Sequence, residues 1–178
     1  MNPPSLGFDF RSSPTIQGLA VSLDRMVSRI NTVWTRQPHI YQSGYFTPTL
    51  QFGGLSTAIV YTFRTGYYTR IGDVVSVHIR LGLSANGTAV GAARLVNLPF
   101  SQAFGDAGNG IVAGAVAGYA VNFAALTGPV LGFVATTTLL LYHSGAAGGI
   151  AMTDANFTAT SDMAISACYV TQDTAPTV

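Results

Sequence analysis

The stretch Ile16 to Trp34, IQGLAVSLDRMVSRINTVW, constrains this chain more than any other. Ile16, Leu19, Leu23, Met26, Ile30 and Val33 follow one another at spacings of 3, 4, 3, 4 and 3, the a/d alternation of a coiled coil over about two and a half heptads. Such a helix is roughly 27–30 Å long at about 1.5 Å per residue and is marginal in isolation. It needs partner helices, so the chain is expected to be an oligomer. The a column (Ile16, Leu23, Ile30) and the d column (Leu19, Met26, Val33) hold no Asn, and Ala20, Val27 and Trp34 at e widen the stripe. That width fits three strands better than two, which makes these six a/d residues the stem of a homotrimer. The competing reading is an amphipathic helix packed on its own domain.

Local signals bound the stem. Ser13 and Pro14 suit a helix start, the hydroxyl capping free amides and the proline sitting in the first turn. Pro38 stops the helix, giving a coiled-coil stem over 14–37. Residues 1–13, MNPPSLGFDFRSS, lack the basic region and apolar core of a signal peptide. They read as an N-terminal docking arm: Phe8 and Phe10, two apart, share one side of an extended segment and can plug into a neighbouring protein.

Beyond residue 38 the pattern changes to short runs punctuated by Gly and Pro. All eight basic residues are Arg and all seven acids are Asp, so two good helix formers, Lys and Glu, are absent while Thr, Val, Tyr and Phe remain. That tilts the 38–178 domain towards β-structure. Strands are expected near 45–52, 57–64, 66–71, 73–83, 88–97, 110–124, 129–142 and 161–171, with loops at Gly53-Gly54, Ala85 to Gly87, Gly105 to Asn109 and Ser144 to Gly149. Val75, Val77, Ile79, Leu81 and Leu83 alternate with Ser76, His78, Arg80 and Gly82, a half-buried strand. The expected fold is mainly β, a jelly-roll β-sandwich knob preceded by a short N-terminal coiled-coil helix.

Composition excludes several classes. Charged residues make up 8% and the formal net charge is +1, so no field recruits nucleic acid. Residues 110–142 are nearly uncharged, but Asn122 and Gly128-Pro129 break them into pieces too short for a spanning helix; no membrane insertion is expected. Cys168 is the only cysteine. It excludes an intrachain disulfide and a Cys-based zinc site, and its apolar context suggests a buried, inert thiol.

Three ordered segments carry a resemblance. Tyr45-Phe46-Thr47-Pro48-Thr49-Leu50-Gln51-Phe52-Gly53-Gly54, Tyr68-Thr69-Arg70-Ile71-Gly72-Asp73-Val74-Val75 and Leu98-Pro99-Phe100 resemble segments of tailed-bacteriophage tail-fibre C-terminal domains and related trimeric virion proteins. There an aromatic-Thr-Pro-x-Leu-x-Phe-Gly-Gly segment leads into the sandwich, Tyr-x-(Lys/Arg)-Ile-Gly opens a central strand and Leu-Pro-Phe closes a later one. Met152 to Phe157 and Tyr169-Val170 are similar in style to the last hairpin. The first segment usually carries Trp where this chain has Phe46, and only about 40 residues precede the knob. The resemblance implies a bacteriophage structural virion protein, a homotrimeric short fibre whose knob contacts a host surface glycan or protein. Residues 1–13 would dock on another virion protein, at the outer surface of a virion assembled in the host cytoplasm. The alternative is a capsid decoration protein, a cement or head fibre, that stabilises the shell.

Candidates for chemistry are sparse. His39, His78 and His143 do not lie at metal-ligand spacing, and Asp106 to Gly110 lacks the later acids of a calcium loop. Ser144 and Ser166 are not in a nucleophile elbow. Glycan cleavage by paired carboxylates would draw on Asp alone, and Asp73 and Asp154 read as turn or capping groups. The expectation is therefore no catalytic residue, no metal, no cofactor and no enzyme. Tyr67, Tyr119 and Tyr142 offer aromatic faces for stacking, but the receptor-binding residues cannot be named from the sequence.

Overall fold

The computed structural model describes residues 18, 21, 23–29, 41–103 and 113–176. The chain divides into two units, Met1–Pro38 and His39–Val178. In the first, the described backbone is helical at Gly18, at Val21 and over 23–29. Leu23 and Met26 on this helix are 49% and 55% exposed, and Val21 and Val27 are exposed beside them. The other four stem positions, Ile16, Leu19, Ile30 and Val33, lie outside the described residues, as do Phe8 and Phe10 of the arm.

The second unit is built of strands: β1 (Tyr41–Phe46), β2 (Thr49–Phe52), β3 (Ile59–Ile71), β4 (Val74–Asn86), β5 (Ala93–Val96), β6 (Ala113–Val121), β7 (Val130–Ala135), β8 (Thr138–Gly145), β9 (Gly148–Ala151) and β10 (Asp162–Val170). A single 3-10 turn, Asp154–Asn156, precedes β10. The hydrogen-bonded order is β1-β3-β4-β10-β6-β7-β8-β5-β2, with β9 attached to β8. Every pairing is antiparallel.

An open sheet of this length can bury one face only by folding over itself. Alternation supplies that face: Val75, Val77, Ile79, Leu81 and Leu83 of β4 join Met163, Ile165, Ala167 and Tyr169 of β10, Leu50 and Phe52 of β2 and Leu139 and Leu141 of β8 in one core. Each Val, Leu, Ile, Phe or Met among them contributes about 1.5–3 kcal/mol on burial. The curl is visible where strands distant in the sheet order meet. Tyr61 of β3 receives a hydrogen bond at its hydroxyl from the Leu50 amide of β2 at 2.9 Å. Register shifts near Tyr61 in β3 and between Ala164 and Ile165 in β10 supply the extra bending. The mainly β architecture agrees with the sequence, and the open sheet is compatible with a β-sandwich.

Several boundaries differ from expectation, each for a local reason. The 45–52 strand is two strands: Phe46 ends β1, Pro48 supplies no amide for pairing, and the chain then pairs with β5 rather than β3. The 57–64 and 66–71 runs are one strand, because Gly66 pairs across Phe46 and Ile79 without breaking the ladder. The 129–142 run is the β7/β8 hairpin, turned at Thr136, which takes a left-handed φ of 54° without the Gly or Asn that usually signals such a turn. The Ser144 to Gly149 loop is partly strand, since β9 pairs with β8.

Candidate functional site: a groove on the outer sheet face

The three resemblance-bearing segments meet in the core. Phe46 sits so close to Gly66 that a Cβ there would lie 2.4 Å from its ring. Tyr68 packs edge-on against Phe100, centroid to centroid 5.3 Å, and the Arg70 guanidinium lies 4.9 Å from the same ring. Arg70 is 5% exposed. Its Nε donates to the Gly72 carbonyl at 2.6 Å and its Nη1 to the Asp173 carbonyl at 2.5 Å. Asp173 in turn accepts from the Ser101 amide, and Tyr169 donates to the Phe100 carbonyl at 3.0 Å. These conspicuous residues fasten the sheet around Phe100; they do not form a site open to solvent.

The surface opposite them is different. Cross-strand registers place Tyr45, Tyr67, His78 and Ser166 in one row across β1, β3, β4 and β10. Ser43, Thr69, Ser76 and Cys168 form the next row, and Tyr41, Ile71, Val74 and Val170 the one beyond. On the other side, Thr65, Arg80 and Ala164 are in register. Successive strand residues point to opposite faces, so the alternation that buries Val77 and Ile79 turns His78 and Arg80 outward.

A shallow groove of about 290 Å³ lies among Tyr45, Thr65, Tyr67, His78, Arg80 and Ser166. The Tyr45 and Tyr67 rings are 5.2 Å apart, tilted by 60°. Tyr45 is 81% exposed. His78 Nδ1 is 2.9 Å from Ser166 Oγ. Arg80 is 3.5 Å from Asp162, and its guanidinium lies 4.7 Å from the centre of the Phe63 ring. Hydrogen bonds from Ser43 first, and then from Thr69, hold the Tyr67 phenol below its usual value, since they favour the ionised form. What this surface offers is aromatic faces edged by hydroxyl and imidazole groups, with its one arginine charge paired.

The sequence-derived candidates are otherwise scattered. His143 is buried against Thr127, whose Oγ1 is 3.0 Å from Nδ1, while His78 is exposed on the outer face. Asp73 lies in the two-residue β3/β4 turn with Gly72, whose φ is 58°. Asp154 accepts from the Gly91 amide at 2.7 Å. Asp73 is thus the turn residue expected, whereas Asp154 ties the remote Gly91 backbone to the 3-10 turn, whose N-cap is Thr153. Tyr142 packs edge-on with Phe133, and Tyr119 is exposed on β6. Among the described residues no three of His, Cys, Asp and Glu cluster at metal-binding distance, and no helix is long and apolar enough to cross a membrane. His39 and the Asp106 to Gly110 loop lie outside the described residues.

Cys168 corrects an expectation. It is exposed, not buried, because Ala167 and Tyr169 take the inward positions of β10 and leave the intervening residue on the outer face. The row of Tyr45, His78 and Ser166 escaped sequence reasoning altogether. The alternation of β4 marked His78 as outward, but its neighbours come from strands remote in sequence.

Comparison with known proteins finds two partial likenesses. No family model matches the chain. Over 63 residues it is 43% identical to a capsule KN4-specific depolymerase of Klebsiella phage K64-1, a match covering 34% of this chain and 8% of that protein. The fold is similar to the crystal structure of the Dettilon tailspike protein gp208, with a TM-score of 0.61 and 14% identity, over 73% of this chain and 24% of that one. The chain thus spans a small part of the length of either protein.

The depolymerase overturns the expectation that the chain is not an enzyme: a relative named for breaking down capsule is incompatible with ruling catalysis out on composition. Seven Asp and no Glu in 178 residues had pointed away from paired carboxylates. A match covering 8% of a protein does not locate that protein's chemistry.

Proposed function

We propose that this chain is a bacteriophage tail structural and receptor-binding protein directed at host surface polysaccharide. The observation that carries the reading is the 43% identity to a capsule depolymerase; the tailspike-like fold supports it. In this reading residues 1–13 dock on another virion protein through Phe8 and Phe10. Residues 14–37 trimerise through Ile16, Leu19, Leu23, Met26, Ile30 and Val33, and residues 38–178 form a jelly-roll knob at the virion surface. The exposure of Leu23 and Met26 on a helical backbone supports the trimer, because an apolar seam open to water is stabilised by self-association. Capsid decoration is the less favoured alternative, as one likeness is to a tailspike and the other to a capsule depolymerase.

Two measurements test the proposal. Gold-labelled antibody against the chain should mark the tail in electron micrographs of intact particles; label on the shell would sink the tail assignment. The purified chain should co-sediment with capsular polysaccharide from the strain on which the phage grows. Release of reducing ends in the same mixture assays cleavage directly.

A further inference from the structure

The outer-face groove carries an assignment of its own. A tyrosine that is 81% exposed contributes little to the core, yet Tyr45 stands beside Tyr67 at 5.2 Å and forms a wall of the groove. Thr65, His78 and Ser166 set polar atoms next to that wall. The pairing of His78 Nδ1 with Ser166 Oγ leaves Nε2 as the ring's second polar atom. The groove also lacks a strong unpaired charge, because Asp162 sits 3.5 Å from Arg80.

A protein partner would need about 800 Å² on each side with an apolar centre. The groove holds only about 290 Å³, room for one ring rather than a patch of that area, and hydroxyl and imidazole groups edge its largely apolar lining. A pyranose ring fits the chemistry: its C–H face is apolar enough to lie on an aromatic ring, and its hydroxyls point outward to donors and acceptors at the edge. We infer that the groove is a binding subsite for one neutral pyranose unit of a polysaccharide, stacked on Tyr45 and hydrogen-bonded by His78 and Ser166. The inference rests on the polysaccharide-directed reading above and adds the place of contact and the kind of sugar.

The test uses the full chain and capsular polysaccharide from the host strain, with affinity read by biolayer interferometry. Tyr45→Ala should weaken binding about ten-fold, and Tyr45→Phe, which keeps the ring, should restore most of it. Leu55→Ala, at another exposed apolar position, should bind like the unaltered chain. Affinity should change little between about 0.05 and about 0.5 M NaCl, as expected for an uncharged ligand unit. Unaltered binding by Tyr45→Ala would overturn the groove while leaving the polysaccharide reading intact. A steep loss with salt would overturn the neutral sugar in favour of an acidic one. No binding by the unaltered chain would overturn both the groove and the reading beneath it.

Discussion

Tyr169 shows how one polar atom is accommodated in this core. Its ring is 3% exposed, and its hydroxyl donates to the Phe100 carbonyl at 3.0 Å. Burial pushes the phenol above its ordinary value of 10.0, because the anion would have to leave water. The folded value exceeds the unfolded one. The stability linked to this group is therefore fully present below pH 10 and falls as the pH rises through the window between the two values, where the unfolded chain alone releases the proton. Tyr169→Phe should cost about 1–2 kcal/mol at neutral pH, since the Phe100 carbonyl loses its partner. Urea unfolding at neutral pH and above pH 10 checks both effects: the variant should lose less stability than the unaltered chain across the alkaline step.

Among elements, the contact of β1 with β3 depends on the absence of a side chain. Gly66 lies under the Phe46 ring, with a Cβ position 2.4 Å from two ring carbons. Gly66→Ala should therefore displace Phe46 and destabilise the domain by about 1–3 kcal/mol. Gly118→Ala, on β6 with nothing within 4 Å of its Cβ position, should be neutral or slightly stabilising. Thermal unfolding of the pair separates overpacking from a general effect of glycine in strands. Elements like β4 were legible in the sequence because Val75 to Leu83 alternate without interruption. The β7/β8 hairpin was not, since Ala135 to Thr138 turns without Gly, Pro or Asn. For the same reason of range, only His78 and Arg80 among the groove residues, both on the alternating β4, carried an outward signal. The meeting of His78 with Tyr45 and Ser166 depends on pairings between strands that no local pattern specifies.

At the scale of the whole molecule, the helix and the sheet pose separate questions. Leu23 and Met26 lie open to water on the helix, and the proposed trimer would cover them. Leu23→Asp would place three carboxylates together in that seam, an arrangement that like charges and desolvation oppose. Sedimentation should show the unaltered chain as a trimer and the variant largely dissociated; an unchanged oligomer would remove the stem from its proposed role. The sheet raises a matter of timing. β10, the last described strand along the chain, lies between β4 and β6, and its Ser166 meets His78 across 88 residues of sequence. During translation the partners β4 and β6 emerge first, each with an unpaired edge awaiting residues 162–170. Such distant pairing slows folding and leaves nascent edges open to neighbouring nascent chains, so a ribosome that stalls before β10 releases a protein disposed to clump.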